Sequence, residues 1–284
     1  MTYSTKTILI TGCSTGIGLC VAHGLQKKGY RVFATARKAE DVTTLKQNGF
    51  EDAVQLDLDD ATSIKTAVEE VLEKTGGELY ALFNNGAYGQ AGAVEDLTRE
   101  TLRKNFETNL FGTHELTTLI IPVMRKQGYG RIIQNSSVLG FVNLPYRGAY
   151  NATKHALEGL TDTLRLELHD TNIKISLIEP GPIESRFRAN AFASYKENID
   201  KENSFHKDIY EAMERRLTKE GPAAPFTLPP TAVLKKVIHA LESPTPKIRY
   251  YVTVPTYLFA VLKRILPGSL LDMMLTKISS GEQR

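Results

Sequence analysis

The chain has 284 residues, 42% hydrophobic and 24% charged, with 35 basic against 32 acidic side chains. That length and apolar content suit one large α/β unit with a buried core, and a net charge of +3 is too balanced to argue for nucleic acid. Cys13 and Cys20 form neither a C-x-x-C pair nor a metal-ligand spacing and read as reduced thiols of a cytoplasmic protein. The six histidines form no H-E-x-x-H pair, so no metal is expected. Residues 1–6 are polar, which argues against a signal peptide, and no run of about 18 apolar residues is present to span a bilayer.

The first apolar run, residues 7–11, leads into Thr11-Gly12-Cys13-Ser14-Thr15-Gly16-Ile17-Gly18 and a helix-period segment at 17–28. Glycines at such a strand–turn–helix junction let the backbone turn sharply and let a pyrophosphate approach the helix N-terminus. The spacing is G-x-x-x-G-x-G rather than the usual G-x-G-x-x-G. Gly12, Ser14, Thr15, Gly16, Ile17 and Gly18 are therefore candidate dinucleotide contacts.

A second strand, 31–36, ends in Ala36-Arg37. In dinucleotide folds an acid near this point bonds the ribose 2′-hydroxyl, whereas an arginine accommodates a 2′-phosphate. A guanidinium binds phosphate bidentately and a carboxylate repels it, so Ala36 followed by Arg37 favours NADP over NAD. After a helix at 39–48 comes a strand at 53–57, with Asp57 and Leu58 at its end. Asp57 either faces the adenine or caps the next helix, 61–74. The fourth strand, 79–84, closes on Asn84-Asn85-Gly86-Ala87, small residues that would keep a cofactor's path open.

One long amphipathic helix is expected over 100–127, with Asn109 inside it, then a strand at 131–136 followed by Ser137. A hydroxyl at a strand's carboxyl end faces the crevice where such sheets bind ligands, and it could donate to a substrate carbonyl. The helix at 150–170 opens with Tyr150-Asn151-Ala152-Thr153-Lys154. Residues four apart share a helix face, so a phenol and an ammonium lie side by side. A free tyrosine titrates near ~10; a fixed cation is expected to lower that value and make Tyr150 a proton shuttle near neutral pH. His155 points away from Lys154 and is read as structural.

A strand at 173–179 completes the βα alternation, which predicts a Rossmann-type, doubly wound parallel sheet of about seven strands with helices on both faces. Residues 186–225 are charged and helical, a cap over the substrate. A helix at 231–242 and a last strand at 248–254 precede an apolar, basic extension, 255–284. Its segment 257–277 reads as a lid or dimer contact, with peripheral membrane contact as the alternative. The helices at 100–127 and 150–170 carry apolar surface enough for a homodimer.

Taken together, Thr11–Gly18, Asn84–Ala87, Asn109, Ser137 with Tyr150 and Lys154, and Pro180-Gly181 resemble the short-chain dehydrogenase/reductase family over roughly residues 5–185. The resemblance implies a catalytic tetrad of Asn109, Ser137, Tyr150 and Lys154. Tyr150 would be the acid/base and Ser137 the carbonyl-orienting hydroxyl. Lys154 would bind the nicotinamide ribose and tune Tyr150, and Asn109 would help hold a water linking Lys154 to solvent. Pro180, Gly181, Ile183 and Ser185 would meet the nicotinamide end. Two departures stand out: Asn85-Gly86-Ala87 replaces N-A-G, and Ser185 replaces the threonine of P-G-x-x-x-T.

The wording Ala156-Leu157-Glu158-Gly159-Leu160 and Ile178-Glu179-Pro180-Gly181-Pro182 is similar to the 17β-hydroxysteroid and retinol dehydrogenase branch. That branch implies an NADP-dependent enzyme interconverting an apolar alcohol with its aldehyde or ketone. An acyl-carrier-protein ketoreductase and a non-catalytic NADP-binding sensor are the alternatives.

Overall fold

The computed structural model describes residues 6–222 and 224–282. Its strands are β1 (Thr7–Ile10), β2 (Arg31–Ala36), β3 (Val54–Gln55), β4 (Ala81–Asn84), β5 (Gly130–Asn135), β6 (Ile173–Glu179) and β7 (Arg249–Tyr251). Its α-helices are α1 (Gly16–Lys27), α2 (Ala39–Gln47), α3 (Ala61–Thr75), α4 (Arg99–Phe106), α5 (Gly112–Gln127), α6 (Gly148–Glu167), α7 (Phe187–Asn198), α8 (Lys207–Thr218), α9 (Thr231–Glu242), α10 (Val254–Ile265) and α11 (Gly268–Glu282). The strands form one sheet in the order β3-β2-β1-β4-β5-β6-β7, every neighbouring pair parallel.

Side chains alternate across a strand, and both sides here are apolar because both are covered. Ile8 and Ile10 of β1 join Ala34 of β2 and Phe83 of β4 in one layer, which α1, α2 and α9 complete with Val21, Leu25, Leu45, Val237 and Leu241. Leu9, Phe33 and Leu82 face the other way, onto Ile64 and Val71 of α3 and Leu116 and Ile120 of α5. The chain order reverses between β1 and β4 in the sheet, so the carboxyl ends of β1, β4 and β5 open into a single crevice.

Three elements differ from their sequence reading. The helix expected over 100–127 is interrupted: residues Glu107–Phe111 form a π-helical turn between α4 and α5. Its cause is visible in Asn109, whose amide bonds both backbone groups of Tyr88. The third strand shrinks to Val54–Gln55. Leu56 still bonds the Ala36 carbonyl at 3.0 Å, but the Asp57 N–H turns to the Ser63 hydroxyl at 3.0 Å, and the ladder gives way to the start of α3. The last strand ends at Tyr251 because Thr253 is the N-cap of α10, with a proline in its first turn.

The cap is helical, as expected, and consists of α7 and α8 around Ala191, Tyr195, Tyr210 and Met213. In the C-terminal extension Phe259 and Leu262 of α10 and Leu271 and Leu275 of α11 pack on Leu139, Val142 and Tyr150. The extension therefore forms one wall beside Tyr150. The opposite face of α10 exposes Val254, Tyr257, Leu258, Val261 and Ile265. Among the described residues, no helix is long and apolar enough to cross a membrane.

Candidate active site

The glycine turn after β1 is held from below by hydroxyl and amide groups. Thr11 accepts the N–H groups of Asn85 and Gly86 at 2.8 and 2.7 Å. Asn85 donates to the Thr11 and Gly12 carbonyls at 3.0 and 3.2 Å and accepts from Asn135 at 2.9 Å. Asn85 and Gly86 thus act on the turn that would carry a cofactor. Gly12 and Gly16 adopt φ of +70° and +62°, which L side chains resist. A Cβ on Gly18 would stand 2.2 Å from the Gly12 carbonyl oxygen. Thr15 occupies the N-cap of α1 without a side-chain hydrogen bond, and the first turn holds no acid. Uncapped N–H groups above a cradle stripped of side chains fit a dinucleotide pyrophosphate.

Ala36 is buried at the end of β2 and Arg37 is exposed beside it, so no carboxylate occupies the position expected to read the ribose. Asp57 accepts the Asp59 N–H at 3.1 Å. The N-cap of α3 is instead Asp60, which accepts from Thr62 at 2.8 Å, and this removes the capping alternative for Asp57. Leu58 packs against Gly86, where an added Cβ would lie 2.9 Å from its side chain. Asn84 is the exception among the proposed contacts. Its amide donates to Thr117 of α5 at 2.9 Å, because the strand's alternation sends it toward that helix.

Ser137, Tyr150 and Lys154 converge where β5 ends. Ser137 accepts the Leu139 N–H at 3.1 Å, which leaves its hydroxyl proton to donate, and it lies near enough to Tyr150 to pull the phenol's pKa down. Lys154 is 3% exposed and donates to the Asn135 carbonyl at 2.7 Å. Its ammonium lies 5.7 Å from the Tyr150 ring centre. The expected depression of the tyrosine is absent in the cofactor-free chain. Burial pushes Tyr150 up to about 12, with Ser137 alone pulling it down, and burial lowers Lys154 to about 8, opposed by Glu158. Burial is the main reason, and Lys154 does not offset it because its short hydrogen bond goes to Asn135 rather than to the phenol.

The Lys154 shift has a measurable consequence. Its folded value lies below the ordinary 10.5, so the unfolded chain binds the extra proton between the two. This group's contribution to stability is present above pH 10.5 and is lost as pH falls through 8. Urea unfolding of the cofactor-free protein should show a midpoint rising with pH from 8 upward, with a shallower rise in Lys154→Met. Equal slopes would contradict a buried, depressed lysine.

Asn109 is 1% exposed. It accepts the Tyr88 N–H at 3.0 Å and donates to the Tyr88 carbonyl at 2.9 Å and Thr153 at 3.2 Å. It ties α6, at Thr153 next to Lys154, to the backbone of Tyr88. Pro180 accepts the Val138 N–H at 2.8 Å, which ties the Ser137 turn to the end of β6. A Cβ on Gly181 would stand 2.1 Å from the Thr253 hydroxyl, and one on Gly16 would stand 3.1 Å from Ser185. Ile183 pairs with Leu228 in an isolated bridge. The segment Pro180–Ser185 therefore crosses directly over the glycine turn.

Sequence reasoning missed three residues here. Thr153 sits inside the Tyr–Lys motif itself, Asn135 supplies the carbonyl that Lys154 bonds, and Phe187 lays its ring edge-on to Tyr150 at 5.3 Å between centres. Thr153 and Asn135 could have been found by proximity to the motif; Phe187 carries no local signal.

Residues 6–196 match the short chain dehydrogenase family. The chain is 43% identical over 270 residues to the uncharacterized oxidoreductase YbbO of Escherichia coli, covering 95% of this chain and 94% of YbbO. It is 31% identical over 260 residues to human 17-beta-hydroxysteroid dehydrogenase type 1, covering 87% and 77% of the two chains. ElxO, solved with NADP bound, superposes with a TM-score of 0.70 at 25% identity, over 88% of this chain and 97% of ElxO. The protein belongs to the short-chain dehydrogenase/reductase family of oxidoreductases.

Proposed function

We propose that the protein is an NADP(H)-dependent oxidoreductase that interconverts an apolar alcohol with its aldehyde or ketone. The observation that carries this reading is the convergence of Ser137, buried Tyr150 and buried Lys154 at the crevice end of β5, next to an uncapped glycine turn. The bound nicotinamide would supply reversible hydride transfer. The glycine turn and α1 would hold the pyrophosphate, Arg37 the 2′-phosphate, and Lys154 the ribose. Pro180–Ser185 would hold the nicotinamide end.

In the reductive direction the substrate's carbonyl oxygen would accept the Ser137 hydroxyl proton. Ser137 thereby stabilises the charge that develops on that oxygen. Tyr150 would donate its phenolic proton to the same oxygen, which becomes the alcohol oxygen once the bound nicotinamide has supplied the hydride. Burial raises the phenolate's cost, so Lys154 must carry positive charge when the proton leaves. Phe187, Leu139, Val142, Phe259 and Leu275 surround Tyr150, and an apolar wall of this kind supports an apolar substrate.

A panel of aliphatic aldehydes, ketones and hydroxysteroids assayed with NADPH and NADH tests the reading; an absence of turnover with every member would favour the sensor alternative. On cofactor choice, Arg37→Ala should weaken NADPH by about 1.5–3 kcal/mol, the range for a hydrogen bond to a charged partner, and leave NADH nearly unchanged. Titration calorimetry that found wild-type protein binding NADH more tightly would refute the assignment of Arg37.

A further inference from the structure

Tyr150 and Lys154 continue down α6 into a second set of charged groups. Glu158 and Asp162 follow at the same four-residue spacing, and Glu158 is 8% exposed. Arg249 of β7 reaches both, with Nη2 3.0 Å from Glu158 Oε2 and 2.6 Å from Asp162 Oδ2. Its Nε lies 3.0 Å from Oε1 of Glu179, a residue of β6 with no exposed surface. Just past β5 the Ser136 hydroxyl is buried on the same side, without a hydrogen bond to Glu158. Gly140 closes the chamber: a Cβ there would stand 2.5 Å from Ser136 Oγ and 3.1 Å from Glu158 Oε1. His155 bonds the Asn151 carbonyl and Arg165 pairs with Asp162.

Two buried glutamates therefore face each other across one guanidinium that Asp162 also shares. Both cannot be ionised at such range. Glu179 holds the proton, because it has no contact with water and meets Arg249 without hydrogen-bond alignment; burial, then Glu158, pushes it up to about 9. Burial raises Glu158 as well, but Arg249 donates to it at 3.0 Å, so of the two glutamates it is Glu158 that keeps the charge.

We propose that Glu158 is a positioning residue for the reaction: a buried anion, one helical turn below Lys154, that keeps the positive charge of the Tyr150–Lys154 pair on the lysine. The inference rests on Tyr150 as the acid/base. Once one proton has left the pair, two arrangements carry the same net charge. One is phenolate with ammonium, which can accept a proton from an alcohol; the other is phenol with neutral amine, which cannot. Burial alone favours the second. Along a helix Glu158 is ~6 Å from Lys154 and ~12 Å from Tyr150. Taken as charge separations at an effective dielectric constant of ~20, that asymmetry favours the first arrangement by up to about tenfold, less the part that Arg249 at 3.0 Å offsets.

The test is a 13C NMR titration of the NADP+-bound protein labelled at tyrosine Cζ and lysine Cε, with Tyr150→Phe and Lys154→Ala difference spectra as assignments. In Glu158→Gln the first deprotonation of the pair should move to lower pH, because a negative charge has gone. The phenolate signal at half-titration should nevertheless shrink, by up to about tenfold, relative to wild type. Glu179→Gln, which keeps a neutral donor beside Glu158, should leave both signals in place, and Glu158→Asp should restore the wild-type pattern. Thermal unfolding reports any merely structural effect separately. A Glu158→Gln titration superposable on wild type, or a Glu179→Gln titration displaced equally far, would overturn the proposal. If Glu158→Gln does not fold, the wild-type spectra decide: ammonium coexisting with phenolate supports the role, and neutral amine with phenol overturns it. Failure of the acid/base reading shows separately, as undiminished turnover in Tyr150→Phe.

Discussion

Tyr150→Phe should lower single-turnover hydride transfer at least ~100-fold, about 2.7 kcal/mol of barrier, while NADPH affinity stays near wild type. The ring's work and the hydroxyl's work are separable at this position. The ring packs with Leu139, Val142, Phe259 and Leu275 and meets Phe187 edge-on, and phenylalanine keeps all of that. Only the hydroxyl beside Ser137 disappears, and with it the proton proposed for the substrate oxygen. Lys154→Ala should instead harm both parameters, since Lys154 is assigned to the ribose and to the proton transfer. Stopped-flow rates beside fluorescence titration of NADPH separate the two variants. A Tyr150→Phe protein that transfers hydride at nearly the full rate would require another acid.

Gly18→Ala should destabilise the fold by about 1–3 kcal/mol, the usual cost of overpacking, and abolish measurable dinucleotide binding. The added methyl carbon would meet the Gly12 carbonyl at 2.2 Å and the Asn85 amide at 2.7 Å. The first is backbone and the second is already committed to Thr11 and Gly12, so relief must come from moving the turn itself. Gly159→Ala gives the internal contrast. Gly159 lies within α6 with nothing within 4 Å of an added Cβ, and alanine there should stabilise by about 0.5–1 kcal/mol. Urea melts of the two variants should move in opposite directions; movement in the same direction would mean that the turn relaxes at little cost.

The sheet was legible because parallel strands covered on both sides are apolar throughout, and β1, β2, β4, β5 and β6 all announce themselves that way. β3 was overestimated because its end is decided by a side chain, Ser63, that competes for the Asp57 N–H. Ser137, Tyr150 and Lys154 were legible because helix periodicity and a strand end fix their directions locally. What stayed hidden depends on contacts between distant segments. Asn84 has the composition of a cofactor contact yet bonds Thr117. Phe187 reaches Tyr150 only because the cap folds back over the crevice. The protonation of Tyr150 and Lys154 could not be read from their spacing, since burial and the Asn135 carbonyl outweigh adjacency.

The π-helical turn at Glu107–Phe111 also bears on which changes in chain length the protein can absorb. Such a turn is an α-helix with one residue inserted. It lets Asn105 and Asn109 converge on the Tyr88 carbonyl at 3.1 and 2.9 Å while α5 keeps its own face on the sheet. Deleting any one residue between 107 and 111 would restore a regular helix and rotate α4 by about 100° against α5. Thr101 and Asn105, both buried, would swing toward solvent, and Asn109 would lose either Tyr88 or Thr153. A stretch that reads as regular helix is thus closed to single-residue loss, and an in-frame deletion there should be as damaging as a substitution of Tyr150 is expected to be.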